Sequence, residues 1–168
     1  MIDTATDRDI PALAEMLFAL NAHHADDVPE RFHTEGPQED LQGFLAERMA
    51  EGARALVYRT EGVARAYLLW QVIDQPATAL EKARKMAVLD HIYVAPIWRH
   101  RGLARRLIAR FEAESSVLGC SSWMTRVHAF NQASAAMMQG AGARLVVQVF
   151  EKPLQAPSRS SKPSTRPR

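Results

Sequence analysis

Cysteine is nearly absent from the 168 residues. Cys120 stands alone, so no intrachain disulfide can form and nothing points to an oxidising compartment. No apolar run is long enough to cross a bilayer. The start, with Asp3, Asp7, Arg8 and Asp9, lacks the basic then apolar pattern of a secretion signal, so a cytoplasmic protein is expected, with no membrane partner. No Gly-Lys-Ser or Gly-Lys-Thr occurs, which removes a P-loop. Around Gly102, only Gly102 and Ala104 are small where a Gly-x-Gly-x-x-Gly fingerprint needs three glycines, which argues against a dinucleotide site. A strong charge of one sign is lacking too. The formal net charge is +2, and the four cations after Leu154 (Arg159, Lys162, Arg166, Arg168) leave residues 1–154 at −2.

Residues 154–168 have few apolar side chains and are read as a disordered basic tail. With no aromatic interleaved for stacking, the tail argues against nucleic acid as a partner. The 47% hydrophobic content of the whole chain is enough for one core, so residues 1–153 are taken as one domain.

Hydrophobic periodicity orders that domain. Ile2 to Ala5 suits a short strand, and Thr6-Asp7-Arg8-Asp9 has the form of a capping box before a helix with Ile10, Leu13, Leu17 and Leu20 on one face. Leu41, Phe44, Leu45 and Met49 form a second amphipathic helix ending near Gly52. Ala53 to Arg59 and Val63 to Ile73 make a hairpin about Thr60-Glu61-Gly62. Val88 to Val94 and Ser122 to Val127 read as strands, Asn131 to Gly142 as a helix, and Arg144 to Val149 as the final core strand. Between the first two helices lies a polar stretch holding His23, His24, Asp26, Asp27, Glu30 and His33. Adjacent histidines do not share a helix face as i, i+4 ligands do, so no metal site is assigned there.

The stretch that organises the chain is Val94-Ala-Pro-Ile-Trp-Arg-His-Arg-Gly-Leu-Ala-Arg-Arg-Leu107. A strand arrives, Pro96 turns, and a helix leaves with Leu103, Leu107, Ile108 and Phe111 at helical spacing. At the junction, the first helical amides lack partners, Gly102 permits close approach, and Arg99, Arg101 and Arg105 add charge, which suits a phosphate.

This stretch resembles the signature of the GNAT superfamily of N-acetyltransferases, a Val-x-Pro turn followed by Arg/Gln-x-x-Gly-x-Gly/Ala, with Arg99, Gly102 and Ala104 at its fixed positions. Asn131 to Ala143 is similar to a second family segment, with Asn131 and Gly142 matching, Ser134 in place of Ala and Met137 in place of Leu. The resemblance implies an α/β (α+β) GNAT fold, a mixed, mostly antiparallel sheet of six to seven strands flanked by about four helices. It further implies transfer of an acetyl group from acetyl-CoA to a primary amine by direct attack in a ternary complex. The implied cofactor-binding residues are Ile92, Tyr93 and Val94 on the strand, Arg99, His100, Arg101, Gly102, Leu103, Ala104 and Arg105 at the turn, and Asn131, Ser134 and Met138 on the later helix. A small-molecule or peptide amine is the implied partner, the polar stretch between the first helices would border it, and a homodimer is a family-level expectation. The implied cosubstrate is acetyl-CoA, and no metal is expected.

For the base, Asp90 and His91 are the candidates. Strand parity sets Asp90 with Ile92 and Val94, and His91 on the opposite face, unless a bulge intervenes. For the acid, the family's usual tyrosine is replaced by Met138, which donates no proton. Water, His128, Ser134, another residue or no dedicated donor would then serve. The alternative function is a non-catalytic acyl-CoA-binding or sensing module on the same fold.

Overall fold

A computed structural model describes residues 1–154, and the remaining tail residues lie outside the described part. Among the described residues the sheet has five strands in the order β1-β2-β3-β4-β5. These are β1 (Ile2–Thr4), β2 (Arg54–Thr60), β3 (Val63–Gln75), β4 (Arg84–Val94) and β5 (Ser122–Thr125). The first four are antiparallel neighbours, and β5 joins β4 in parallel. Helices α1 (Ile10–Asp27) and α2 (Gln38–Ala50) cover one face, and α3 (Leu103–Val117) with α4 (Gln132–Gly140) the other.

Alternation along β2 and β3 sends side chains into both layers. Ala55, Val57, Tyr67 and Leu69 meet Leu13, Ala14, Leu17 and Leu45. Leu56, Ala66, Leu68 and Trp70 meet Leu107, Ile108, Phe111 and Met138. The continuous buried run Ala66 to Trp70 is therefore a strand sandwiched between helix layers. Local signals agree with this. The Thr6 amide donates to the Asp9 carboxylate at 2.7 Å, capping the turn that enters α1. Glu61 and Gly62 both take positive φ, 52° and 75°, as a two-residue hairpin turn requires.

Three expectations need correction. First, α1 runs on through His23, His24 and Asp27, so part of the stretch read as a connection is helix. Ala22 and Ala25 tolerate the helix, and Val28 and Pro29 end it. Second, the sheet has five strands among the described residues, not six or seven. Third, Arg144 to Val149 is not a core strand. It carries no β pairing among the described residues, and Leu145, Val146, Val147 and Val149 are 69–89% exposed. Its apolar pattern shows a need for burial but does not say against what.

Candidate active site

The site is built on β4. Leu89 pairs with Trp70 and His91 with Leu69, so Asp90 is an extra residue, a bulge on β4. A bulge resets parity. Ala87 and Leu89 before it, and Ile92 and Val94 after it, all belong to the α3–α4 layer. Asp90 and His91 both turn to the α1–α2 side, where Asp90 meets Arg48 of α2 and His91 meets Phe44. The straight-strand reading, which grouped Asp90 with Ile92 and Val94, is thereby corrected.

The two base candidates sit in different circumstances. Asp90 Oδ2 accepts from Arg48 Nη2 at 2.9 Å, and both side chains are under one quarter exposed. His91 packs by Phe44 and Tyr67, with ring centroids 6.2 and 6.5 Å away, and its buried Nδ1 has no hydrogen-bond partner among the described residues. Burial holds the His91 pKa below the usual 6.5. The Asp90 charge opposes that shift, and the Arg48 and His24 charges add to it. The imidazole is therefore neutral at pH 7. Tyr67, pushed far up by burial and by Tyr93 beside it, stays protonated.

His91 forms part of the lining of a 350 Å³ cleft between α1, α2 and the connection joining them. Phe18, Phe32 and Phe44 supply an apolar wall, and Glu35 and Asp40 supply carboxylates. The Asn21 Nδ2 group donates to His33 O at 2.6 Å and ties the connection to α1. A wider groove of 430 Å³ lies at the far end of the β3–β4 pair, about Asp74 to Lys85, away from Asp90 and His91. Next to the cleft, His24 sits in a ring cluster with Phe32, His128 and Phe130, centroids 5.1–5.8 Å apart. Burial lowers the His24 pKa first, and the His128 and His23 charges lower it further. Among the described residues, no three His, Cys, Asp or Glu side chains gather as metal ligands.

On its other edge β4 opens. Pairing with β5 ends at Leu89–Thr125, where Thr125 Oγ1 donates to Leu89 O at 2.9 Å. Ala95 N–H still donates to Arg65 O on β3, whereas Val94 O accepts from Arg99 Nε at 3.0 Å. Backbone groups alternate sides along a strand, so the amides of Ile92 and Val94 face the gap that β5 has left. Tyr93 turns the other way, packing on the α1–α2 core with Arg99 6.0 Å over its ring.

The turn follows. Pro96 to Trp98 makes a 3-10 turn, His100 takes φ 59°, and Gly102 caps α3 at φ 73°. The first helical bond is Arg106 N–H to Gly102 O, which leaves the amides of Leu103, Ala104 and Arg105 without helical partners. Arg99, His100, Arg101 and Arg105 are exposed around them, with the Arg101 guanidinium 4.9 Å over the Trp98 ring. Free amides, a left-handed glycine and three guanidinium groups fit a phosphate or pyrophosphate. Leu103 itself is buried, so only its backbone is available.

The residues of α4 are used differently. Asn131 Oδ1 accepts from Ser134 N–H at 2.9 Å and caps the helix, and Met138 is 5% exposed within the second core. The sequence reading missed Arg48, Tyr67 and most of the cleft wall. Phe44 looked like an ordinary core position, and no spacing rule links α2 to a bulge more than forty residues later.

The fold and site define a class: a mixed α/β domain in which a parted strand and the helix after it present free backbone amides beside exposed arginines, with a cleft on the strand's other face. The sequence model of the acetyltransferase (GNAT) family matches residues 17–143, and the chain belongs to that family. No curated protein sequence matches the chain. Among solved structures, a variant of the BH1408 protein from Bacillus halodurans is similar over 92% of this chain and 99% of its own, at 21% identity and TM-score 0.84. The aminoglycoside N-acetyltransferase AAC(6')-Iy, solved with CoA, is similar over 93% and 95%, at 17% identity and TM-score 0.72. A ribosomal-protein-alanine N-acetyltransferase from Brucella melitensis biovar Abortus 2308 is similar over 92% and 99%, at 19% identity and TM-score 0.70. At these identities the likeness is one of fold. Among the described residues, no helix is long and apolar enough to cross a membrane.

Proposed function

We propose that the protein is an N-acetyltransferase that uses acetyl-CoA to acetylate a primary amine, the two substrates meeting in one ternary complex at β4. Acetyl-CoA supplies an activated acetyl thioester when bound. The observation that carries the reading is the double use of one strand end: Ile92 and Val94 offer backbone donors to the gap beside β5, while His91, the residue before them, lines the cleft.

In this reading the amides of Leu103 to Arg105, with Arg99, Arg101 and Arg105, hold the pyrophosphate. His100 and Gly102 shape the turn around it, and the amides of Ile92 and Val94 hold the pantetheine arm and polarise the thioester oxygen. The amine enters through the cleft, where Glu35 and Asp40 favour a cationic acceptor. His91 is the base that takes the proton from the amine as its nitrogen displaces the thiolate. A neutral imidazole is ready for that at pH 7, whereas Asp90 is engaged by Arg48 and serves to fix the bulge. The thiolate takes its proton from water, since Met138 is buried and cannot donate one.

The test is release of free thiol from acetyl-CoA across a panel of cationic amines. Turnover with at least one of them, reduced about 100-fold or more in His91→Gln, is expected. CoA binding without turnover on any amine would favour the non-catalytic module.

A further inference from the structure

The cleft at His91 carries more apolar surface than an amine alone needs. Phe44 is 42% exposed on α2, although its neighbour Leu45 is fully buried, and Phe18 and Phe32 are half-buried where they line the same space. An open phenylalanine on a concave wall is surface left for a ligand to cover. We propose that the amine received there is an arylalkylamine, a single ammonium group carried on one aromatic ring by a short chain. The fate of that amine rests on the acetyltransferase reading, and its shape rests on the cleft alone.

The aromatic wall does not stop at the cleft. Phe32 lines it and also joins the ring cluster beyond, with the His24 and His128 centroids 5.2 and 5.1 Å away. Phe130 lies 5.8 Å from His24 and stacks on His128 at 5.5 Å. Rings from α1, from the connection after it and from the loop after β5 thus gather at one corner of the site. Burial lowers the His24 pKa, so that imidazole adds ring face and no charge at pH 7. Such faces take a further ring in offset or edge contact.

Charge limits the guest to one cation. Glu35 and Asp40 line the cleft, and Arg31, which also lines it with its guanidinium 5.6 Å over the Phe32 ring, offsets one of them. A polyamine would bring further ammonium groups into an apolar cleft with no carboxylate left to meet them. Size limits the body to one ring. A cavity of about 150 Å³ holds a benzene, so 350 Å³ takes one ring, its chain and little else. The Phe44 and His91 ring centroids are 6.2 Å apart. A ring seated beside Phe44 therefore needs a chain of only about two carbons to bring its nitrogen to the imidazole.

The experiment is calorimetric titration of the full chain, in the presence of CoA, with 2-phenylethylamine, n-butylamine and spermidine, alongside thiol release from acetyl-CoA with the same amines. 2-Phenylethylamine should bind about 10–100-fold more tightly than n-butylamine, as the burial of one ring provides, and spermidine no more tightly than n-butylamine. Phe44→Ala should reduce the aryl-to-alkyl ratio about tenfold and leave n-butylamine binding as before. The wild-type comparison holds whether or not that variant folds. Equal affinities for the aryl and alkyl amines, tighter binding of spermidine, no binding of any amine, or a ratio unmoved in a folded Phe44→Ala would each overturn the proposal. Selective binding of the aryl amine with no thiol release would uphold the ligand class and remove the acetyltransferase reading instead.

Discussion

At the scale of single residues Asp90, His91 and Arg48 set the character of the site on β4. One extra residue in β4 moves Asp90 to the α2 side and gives it to Arg48, and His91 is left at the cleft. If His91 is the base, reaction requires both a neutral imidazole and a neutral amine. The logarithm of kcat/KM should then rise with slope two below the His91 pKa and slope one between that value and the amine pKa. Burial puts the break below 6.5. His91→Gln should show slope one throughout, and a retained break would remove His91 from the role. Arg48→Met strips Asp90 of its partner and takes away a charge that holds His91 down, so the break should move to higher pH. Leaving a half-buried carboxylate unpaired should also cost about 1–3 kcal/mol in urea denaturation. An unmoved break would mean that the pair does not reach His91.

At the scale of elements, strand, turn and helix at residues 94–107 were legible because their signals are local: β-branched residues, then Pro96, then Gly102 and a 3.6-residue period. The helix layers and the β2–β3 hairpin were legible for the same reason. Two things were not. The bulge at Asp90 arises from register against β3, which periodicity along β4 alone does not encode. Residues 144–149 have the pattern of a strand, yet a strand exists only with a neighbour, and the sequence does not name the neighbour. Of the residues implied by resemblance, the turn residues surround unpartnered amides, while Asn131 caps α4 and Met138 fills core. Gly102 supplies the element-level prediction. A Cβ there would touch nothing within 4 Å, so Gly102→Ala introduces only backbone strain at φ 73°, about 1–2 kcal/mol. It should lower the unfolding temperature modestly and weaken CoA binding more than that loss alone explains. Unchanged affinity would separate the turn from the ligand.

At the scale of the molecule, the sheet divides labour: one face of β4 looks to a cleft with carboxylates, and its open edge and following turn present the free amides and arginines proposed to hold an anion. Two histidines at this site, His24 and His91, are held below 6.5 by burial. Their unfolded forms bind protons first as pH falls, so stability is full above about pH 6.5 and declines below it. Urea midpoints should be lower at pH 5.5 than at pH 7.5, and the difference should shrink in a His24→Gln, His91→Gln double variant. The central claim is that the β4–α3 turn binds the pyrophosphate of acetyl-CoA, and the measurement that meets it most directly is thermal unfolding with and without acetyl-CoA, for wild type and Arg101→Glu. At a hundredfold excess over Kd, a wild-type gain of about 2.7 kcal/mol is predicted. That is a rise of roughly 5–10 °C for a chain of this size, and it should be largely absent in a variant whose unliganded unfolding temperature is unchanged. An equal rise in both proteins, or none in wild type, would contradict it.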